Sequence, residues 1–233
     1  MRRGEAAAGR EAAATRGAAA KLGAAVGPDW SLEALLWDRG LRLVAGVDEA
    51  GRGALCGPGV AAAVILPAGS SLPYRASKTL GAARRADLAA RLRGEAVAHA
   101  VGFASAREVD ELNVLAATVL AARRAIAALE PAADGVVTDY LRLGLDLPEL
   151  AVAAGDARSC QVAAASILAK TVRDAHMVEL AAAYPGYGFE RHKGYGTAAH
   201  VAAIARLGPC PEHRVTFARV MSPTATTPAA PDP

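Results

Sequence analysis

Aromatic residues make up only 4% of this 233-residue chain. Its core must therefore be assembled from Ala, Val, Leu and Ile, within an apolar content of 53%. That length suits one sizeable domain with appendages. Long apolar runs are missing: none approaches the roughly 20 residues that a membrane-spanning helix requires. Cysteine is scarce. Cys56, Cys160 and Cys210 are an odd number with no close pair, which argues for a reducing cytoplasm rather than a disulfide framework. Cys210 and His213 form a single C-x-x-H, but no second pair completes a zinc site, so the three cysteines read as ordinary small residues. The opening MRRGEAAAGR has two arginines but no following apolar stretch, so no secretory signal is expected. It has the Arg/Ala bias of a transit peptide, against which stand Glu5 and Glu11.

Charge of one sign is also lacking where it would matter most. The net charge is +3, and residues 1–28 account for all of it, with five basic groups and two acidic ones. The remainder holds 21 basic against 21 acidic residues. A neutral body is not a general polyanion binder, so any nucleic acid must be held at a local site.

Residues 1–28 are rich in Ala and Arg and are expected to form a disordered tail, followed by a catalytic domain over 29–217 and a disordered Pro/Thr-rich tail over 218–233. Within the domain, the spacing predicts a short helix over 28–40, capped by Asp29 or Ser31 and stopped by Gly40. Strands are expected over 41–50, 60–67 and 134–141. Helices are expected over 82–100, 113–130 and 161–183, with a loop over 185–196 and a Thr197-capped helix to Leu207. Strands mixed with helices over about 180 residues predict a single α/β domain with its sheet covered by helices.

Three acidic residues, Asp48, Asp139 and Asp156, each follow an apolar, strand-like run and precede a change of direction. Ligands usually bind at such strand ends in an open α/β sheet. Gathering carboxylates there is unfavourable by itself, because like charges raise one another's pKa. A divalent cation removes the objection, and oxygen ligands suit Mg²⁺ or Mn²⁺. Two such ions about 4 Å apart would clamp an in-line attack on a phosphodiester. A turn does not require Glu49 beside Asp48, so DEAGRG (48–53) reads as more than a cap. Competing motifs fail: a dinucleotide fingerprint needs glycine where Cys56 stands, a phosphate-binding P-loop needs Lys where Arg52 stands, and neither G-x-S-x-G nor H-E-x-x-H occurs.

Six blocks then occur in one order: AGVDEAGRGALCGPGVAAAVILP (45–67), ASKTL (76–80), ELNVLAATVLAARRAI (111–126), GDARSCQVAAASILAKTVRD (155–174), YPGYGFERHKGYGT (184–197) and GPCPEHRVTF (208–217). Together they resemble the bacterial type 2 ribonucleases H, ribonuclease HII, from about Leu41 to Phe217. The resemblance implies a ribonuclease H-like mixed sheet flanked by helices. It implies a metal-dependent endoribonuclease that hydrolyses the RNA strand of RNA–DNA hybrids and cuts 5′ to single ribonucleotides embedded in duplex DNA, leaving 3′-hydroxyl and 5′-phosphate ends.

Carried over by motif, Asp48, Glu49, Asp139 and Asp156 would hold Mg²⁺ or Mn²⁺. Gly51 and Gly53 would let the backbone approach a sugar and hydrogen-bond its 2′-hydroxyl, the group that separates RNA from DNA. Arg52 would meet the adjacent phosphate, and Tyr195 would pack against the neighbouring sugar. Ser166, Lys170 and Arg173, at i, i+4 and i+7, share a helical face that is either simply solvated or in contact with phosphate. Lys78, His192, Lys193 and Arg214 are further candidates for backbone contact. Three positions depart from the family's usual residues: Ala76 replaces Asp, Tyr140 replaces Gly and Ala154 replaces Lys.

A non-catalytic binder of hybrid or junction duplexes is the alternative; the retention of all four carboxylates argues against it. The sister enzyme ribonuclease HIII carries an N-terminal substrate-binding domain that a 28-residue tail cannot form. The expected partners are RNA–DNA hybrid and ribonucleotide-containing DNA, met by a monomeric cytoplasmic protein with no membrane association. The segment after Phe217 shows no clear peptide for binding a replication clamp.

Overall fold

The computed structural model describes residues 27–71, 73 and 80–222. Lys78 and Ala76 lie outside the described residues, as do most of both expected tails.

A five-stranded mixed sheet organises the described chain, with strand order β3-β2-β1-β4-β5. Strands β1 (Val44–Ala50), β2 (Gly59–Ile65) and β3 (Ala98–Ala104) form an antiparallel meander. Strands β4 (Gly135–Asp139) and β5 (Glu149–Val152) run parallel to β1 on its other side. Helix α1 (Ser31–Trp37) precedes the sheet, α2 (Ala82–Glu95) joins β2 to β3, and α3 (Ala106–Leu112) with α4 (Val114–Ala127) joins β3 to β4. A 3₁₀ turn (Gly155–Ala157) leads from β5 into the long helix α5 (Cys160–Ala183). Short helix α6 (Phe189–His192), α7 (Ala198–Leu207) and α8 (Ala218–Met221) complete the chain.

Each sheet face has its own core. Ala45, Val47, Ala61 and Ala63 face α4, while Ala62, Val64 and Ala50 face α5, with α2 stacked behind it. Strands covered on both faces are apolar throughout rather than alternating, which is why β1 and β2 read as continuous Ala/Val runs. Small side chains also let the layers approach closely. At Gly46 an added Cβ would lie 2.1 Å from the Gln161 carbonyl carbon, so α5 crosses β1 almost backbone to backbone. Gln161 completes this junction, donating to the Val44 carbonyl at 2.9 Å and accepting from Leu66 N–H at 2.7 Å.

The expected helix over 82–100 is wrong at its C-terminal end. It stops at Glu95, Ala96 is extended, and Ala98–Ala104 pairs in register with β2. Ala-rich composition favours helix locally, but ladder hydrogen bonds and a buried face decide the outcome. The expected 185–196 loop contains α6. The expected C-terminal tail begins too early: Ala218–Met221 is helical, and Val220 is buried against Leu55, Val201 and Ile204. Among the described residues, no helix is long and apolar enough to cross a membrane.

The close crossing at Gly46 has a direct consequence. Gly46→Val is expected to lower stability by about 3 kcal/mol, measured from urea unfolding midpoints. An unchanged midpoint would mean that α5 does not pass β1 at this distance.

Candidate active site

The register between β1 and β4 matches Val47 with Thr138, so the next residue of each strand is a carboxylate, Asp48 and Asp139. Asp156 comes from the turn after β5, the strand beside β4. That turn is fastened to the site: Gly155 N–H donates to Asp139 Oδ1 at 2.9 Å. Asp48, Asp139 and Asp156 thus meet at one end of three neighbouring parallel strands. Glu49 follows Asp48 on β1, and its charge acts on the Asp48 carboxyl. Arg52 Nη1 donates to Glu49 Oε1 at 3.2 Å.

Asp48 is 6% exposed. Burial pushes its carboxyl well above the usual range, and the charges of Glu49 and Asp139 push it further. Hydrogen bonds from the Ser166 hydroxyl and from Glu49 N–H partly oppose the shift. The donor set fits a hard divalent cation: carboxylate oxygens predominate, and added positive charge would relieve the repulsion that raises Asp48.

Helix α5 connects this cluster to the expected sugar-sensing residues. Ser166 meets Asp48, Lys170 Nζ lies 5.5 Å from the Tyr195 ring centre, and Arg173 Cζ lies 5.2 Å from it. From Ser166 to Arg173 the helix rises about 10 Å, which sets the scale between the carboxylates and the tyrosine. The GRG turn lies beside Tyr195, because Ala54 and Tyr195 form an antiparallel bridge and Leu55 N–H donates to the Gly194 carbonyl at 2.8 Å. The structure therefore gathers the carboxylates, the GRG turn, Ser166, Lys170 and Tyr195 into one region.

Several expected roles change. Gly51 has φ +94°, and an added Cβ would lie 2.0 Å from Arg173 Nε, so a protein side chain already requires glycine here. The space in the Cβ direction of Gly53 is open. Arg173 is fully buried and donates to the carbonyls of Pro58, Lys193 and Cys56. Arg214 is equally buried and donates to the carbonyls of Gly57 and Arg52. Both hold the turn in shape and are not available to phosphate. His192 accepts from Gly194 N–H through Nδ1, and its Nε2 lies 2.8 Å from the Tyr187 carbonyl oxygen. No sequence signal marks the two arginines as internal clamps, because their partners are backbone carbonyls distant in the chain.

Tyr140, where the resembled family usually has glycine, sits at φ +63°. Leu141 N–H donates to the Asp139 carbonyl at 2.7 Å across it, the rare, strained hand of a three-residue turn. The usual glycine would be free of that strain.

Two predictions come from this geometry. Tyr140→Gly is expected to stabilise the protein by about 1 kcal/mol; a lower melting temperature would contradict the strain. Asp48→Asn is expected to raise the metal-free melting temperature at neutral pH, by about 2–4 °C per kcal/mol. Between the ordinary carboxylate pKa and the raised one, the folded protein holds a proton that the unfolded chain has released. Wild-type stability therefore falls as pH rises through that window, and the advantage of the asparagine variant shrinks on acidification. A variant less stable than wild type at neutral pH would contradict the buried-charge account.

Comparison with known proteins accords with this arrangement. The Ribonuclease HII family model matches residues 45–221. A ribonuclease HII of Thermus thermophilus is 53% identical over 207 residues, covering 89% of this chain and all of that protein. Ribonuclease HII of Geobacter sulfurreducens is 48% identical over 190 residues, covering 81% and 88%. Among solved structures, ribonuclease H2 from Pyrococcus horikoshii superposes with a TM-score of 0.68 at 23% identity, covering 78% of this chain and 97% of that one. This likeness shows the ribonuclease H-like fold. With a family match over residues 45–221 and half-identical relatives of nearly its own length, the chain belongs to the ribonuclease HII family of endoribonucleases.

Proposed function

We propose that this endoribonuclease, besides hydrolysing the RNA strand of RNA–DNA hybrids, cuts on the 5′ side of a single ribonucleotide embedded in duplex DNA. The supporting observation is the Ala54–Tyr195 bridge, which puts the GRG turn and Tyr195 together about 10 Å along α5 from Ser166, the residue that contacts Asp48.

In this reading Asp48, Glu49, Asp139 and Asp156 hold divalent cations, Mg²⁺ or Mn²⁺. When bound, such cations activate water and offset the negative charge that gathers on the phosphate. Ser166 fixes the Asp48 carboxylate through its hydroxyl. The exposed backbone at Gly53 offers its peptide groups to the 2′-hydroxyl, and the Tyr195 ring, held by Lys170 and Arg173, packs on the neighbouring sugar. Arg52 is nearly half exposed in its contact with Glu49, a weak pair in water that a substrate phosphate can replace. Attack of water on phosphorus breaks the bond to the upstream 3′ oxygen, leaving a 3′-hydroxyl on the upstream nucleotide and a 5′-phosphate on the ribonucleotide. The same reading has the protein acting as a cytoplasmic monomer.

The test uses a DNA duplex with one ribonucleotide, assayed with Mg²⁺ or Mn²⁺. The expected product is a single cut 5′ to the ribonucleotide, abolished by EDTA and by Asp48→Asn. Tyr195→Ala is expected to lose most activity on this substrate. Cleavage of continuous hybrid alone would remove the roles given to Gly53 and Tyr195. Binding without cleavage of either substrate would favour a non-catalytic binder.

A further inference from the structure

The lone C-x-x-H of the sequence acquires a third member in the fold. Cys56 comes from the segment after the GRG turn, and it forms an antiparallel bridge directly with His213. The two sulfurs and a ring nitrogen of His213 lie within 4.8 Å of one another, and all three residues are buried. We propose that Cys56, Cys210 and His213 form a binding site for a thiophilic cation, Zn²⁺, which fastens the GRG-bearing segment to the C-terminal one.

The hydrogen bonds around the histidines select the ring nitrogen that would serve. A carbonyl oxygen only accepts, so His200 Nδ1, 3.0 Å from the Tyr195 carbonyl, carries a proton. The buried His200 is held neutral, which leaves its Nε2 as an acceptor. His213 Nε2 lies 3.1 Å from it and must be the donor. His213 Nδ1 therefore carries the lone pair, and it lies 3.1 Å from Cys210 Sγ and 3.3 Å from the Cys210 carbonyl oxygen. At present that lone pair accepts Cys210 N–H at 2.9 Å, a bond the cation would replace. A metal-bound histidine normally donates its other ring N–H to a neighbouring group, and this one does so already.

The ligands are also held in place beforehand. The Cys56 carbonyl accepts from Arg173, Gly57 N–H donates to the Glu212 carbonyl at 2.8 Å, and Arg214 N–H donates to the Leu55 carbonyl at 2.9 Å. Tetrahedral zinc with bond lengths near those usual for sulfur and nitrogen needs ligand atoms roughly 3.5–3.8 Å apart, so small side-chain rotations close the cluster. The hydrogen bond between the two thiols lowers Cys210 and raises Cys56, so Cys210 is the thiolate of the pair and a bound cation would release the Cys56 proton. Two sulfurs and an imidazole favour a soft cation over Mg²⁺, which separates this site chemically from the carboxylates. Its second neighbour, His200, touches the Tyr195 backbone, so occupancy would stiffen the loop that carries the proposed sugar sensor.

Cobalt(II) reports sulfur ligation directly. The full-length protein, fully reduced and stripped of metal, is titrated with Co²⁺ and then with Zn²⁺. The expected result is one equivalent of tetrahedral Co²⁺ with a thiolate charge-transfer band, displaced by Zn²⁺. That band should persist in Asp48→Asn and vanish in Cys56→Ala and Cys210→Ser. Zn²⁺ should also raise the melting temperature of the wild type but not of Cys56→Ala. Absence of the band in the reduced wild-type protein would overturn the proposal, whether or not the variants fold. So would a band unchanged in Cys56→Ala, or one lost in Asp48→Asn.

Discussion

A carboxylate buried at the end of a central strand, with a second on the adjoining strand and a third on the turn beyond, opposes folding. Desolvation and like charge both act against Asp48. The elements around it make that placement tolerable. Helix α5 supplies Ser166, the β1 backbone supplies Glu49 N–H, and the Asp156 turn is tied to Asp139 through Gly155. The site is thus a charged defect in an otherwise Ala- and Val-packed sheet, and a divalent cation, on which the family depends, would offset its charge. If Asp48 holds the cation as proposed, stability and activity compete there for that reason.

The second constraint is the shape of the segment from Gly51 to Pro58. Two arginines that could have served as phosphate ligands are instead withdrawn into the interior, where Arg173 and Arg214 bind five carbonyls on this segment and its neighbours. Burying two guanidinium groups is costly unless their donors are satisfied. The result is a rigid turn that presents Arg52 and Gly53 outward while Gly51 closes over Arg173. Tyr195 is held against the same unit, and α5 joins it to the carboxylate cluster through Ser166, Lys170 and Arg173.

Much of this was legible in the residues. Asp48, Asp139 and Asp156 each end an apolar run, and the long helix from Cys160 and the Thr197 cap follow from local rules. What local rules could not supply was partnership across the sheet. Strand β3 opens on Ala98-His99-Ala100, which continues the Ala-rich helical pattern before it, and becomes a strand because β2 offers it an edge. Strand β5, four residues in a Leu-rich stretch interrupted by Gly144 and Pro148, passes unnoticed until β4 pairs with it. Cys56 lies more than 150 residues from Cys210, so their meeting has no signature in spacing. The Gly51 requirement was visible, but its cause, the Arg173 side chain, was not.

The central claim is that like charge and burial at the strand ends set the state of Asp48 until a cation is bound. Carbon-13 NMR of the Asp48 side-chain carboxyl, followed against pH with and without Mg²⁺, tests it most directly. The account predicts a titration well above the ordinary carboxylate range in the metal-free protein, moving sharply downward when Mg²⁺ is added. An ordinary titration without metal, or one that Mg²⁺ leaves in place, would contradict it.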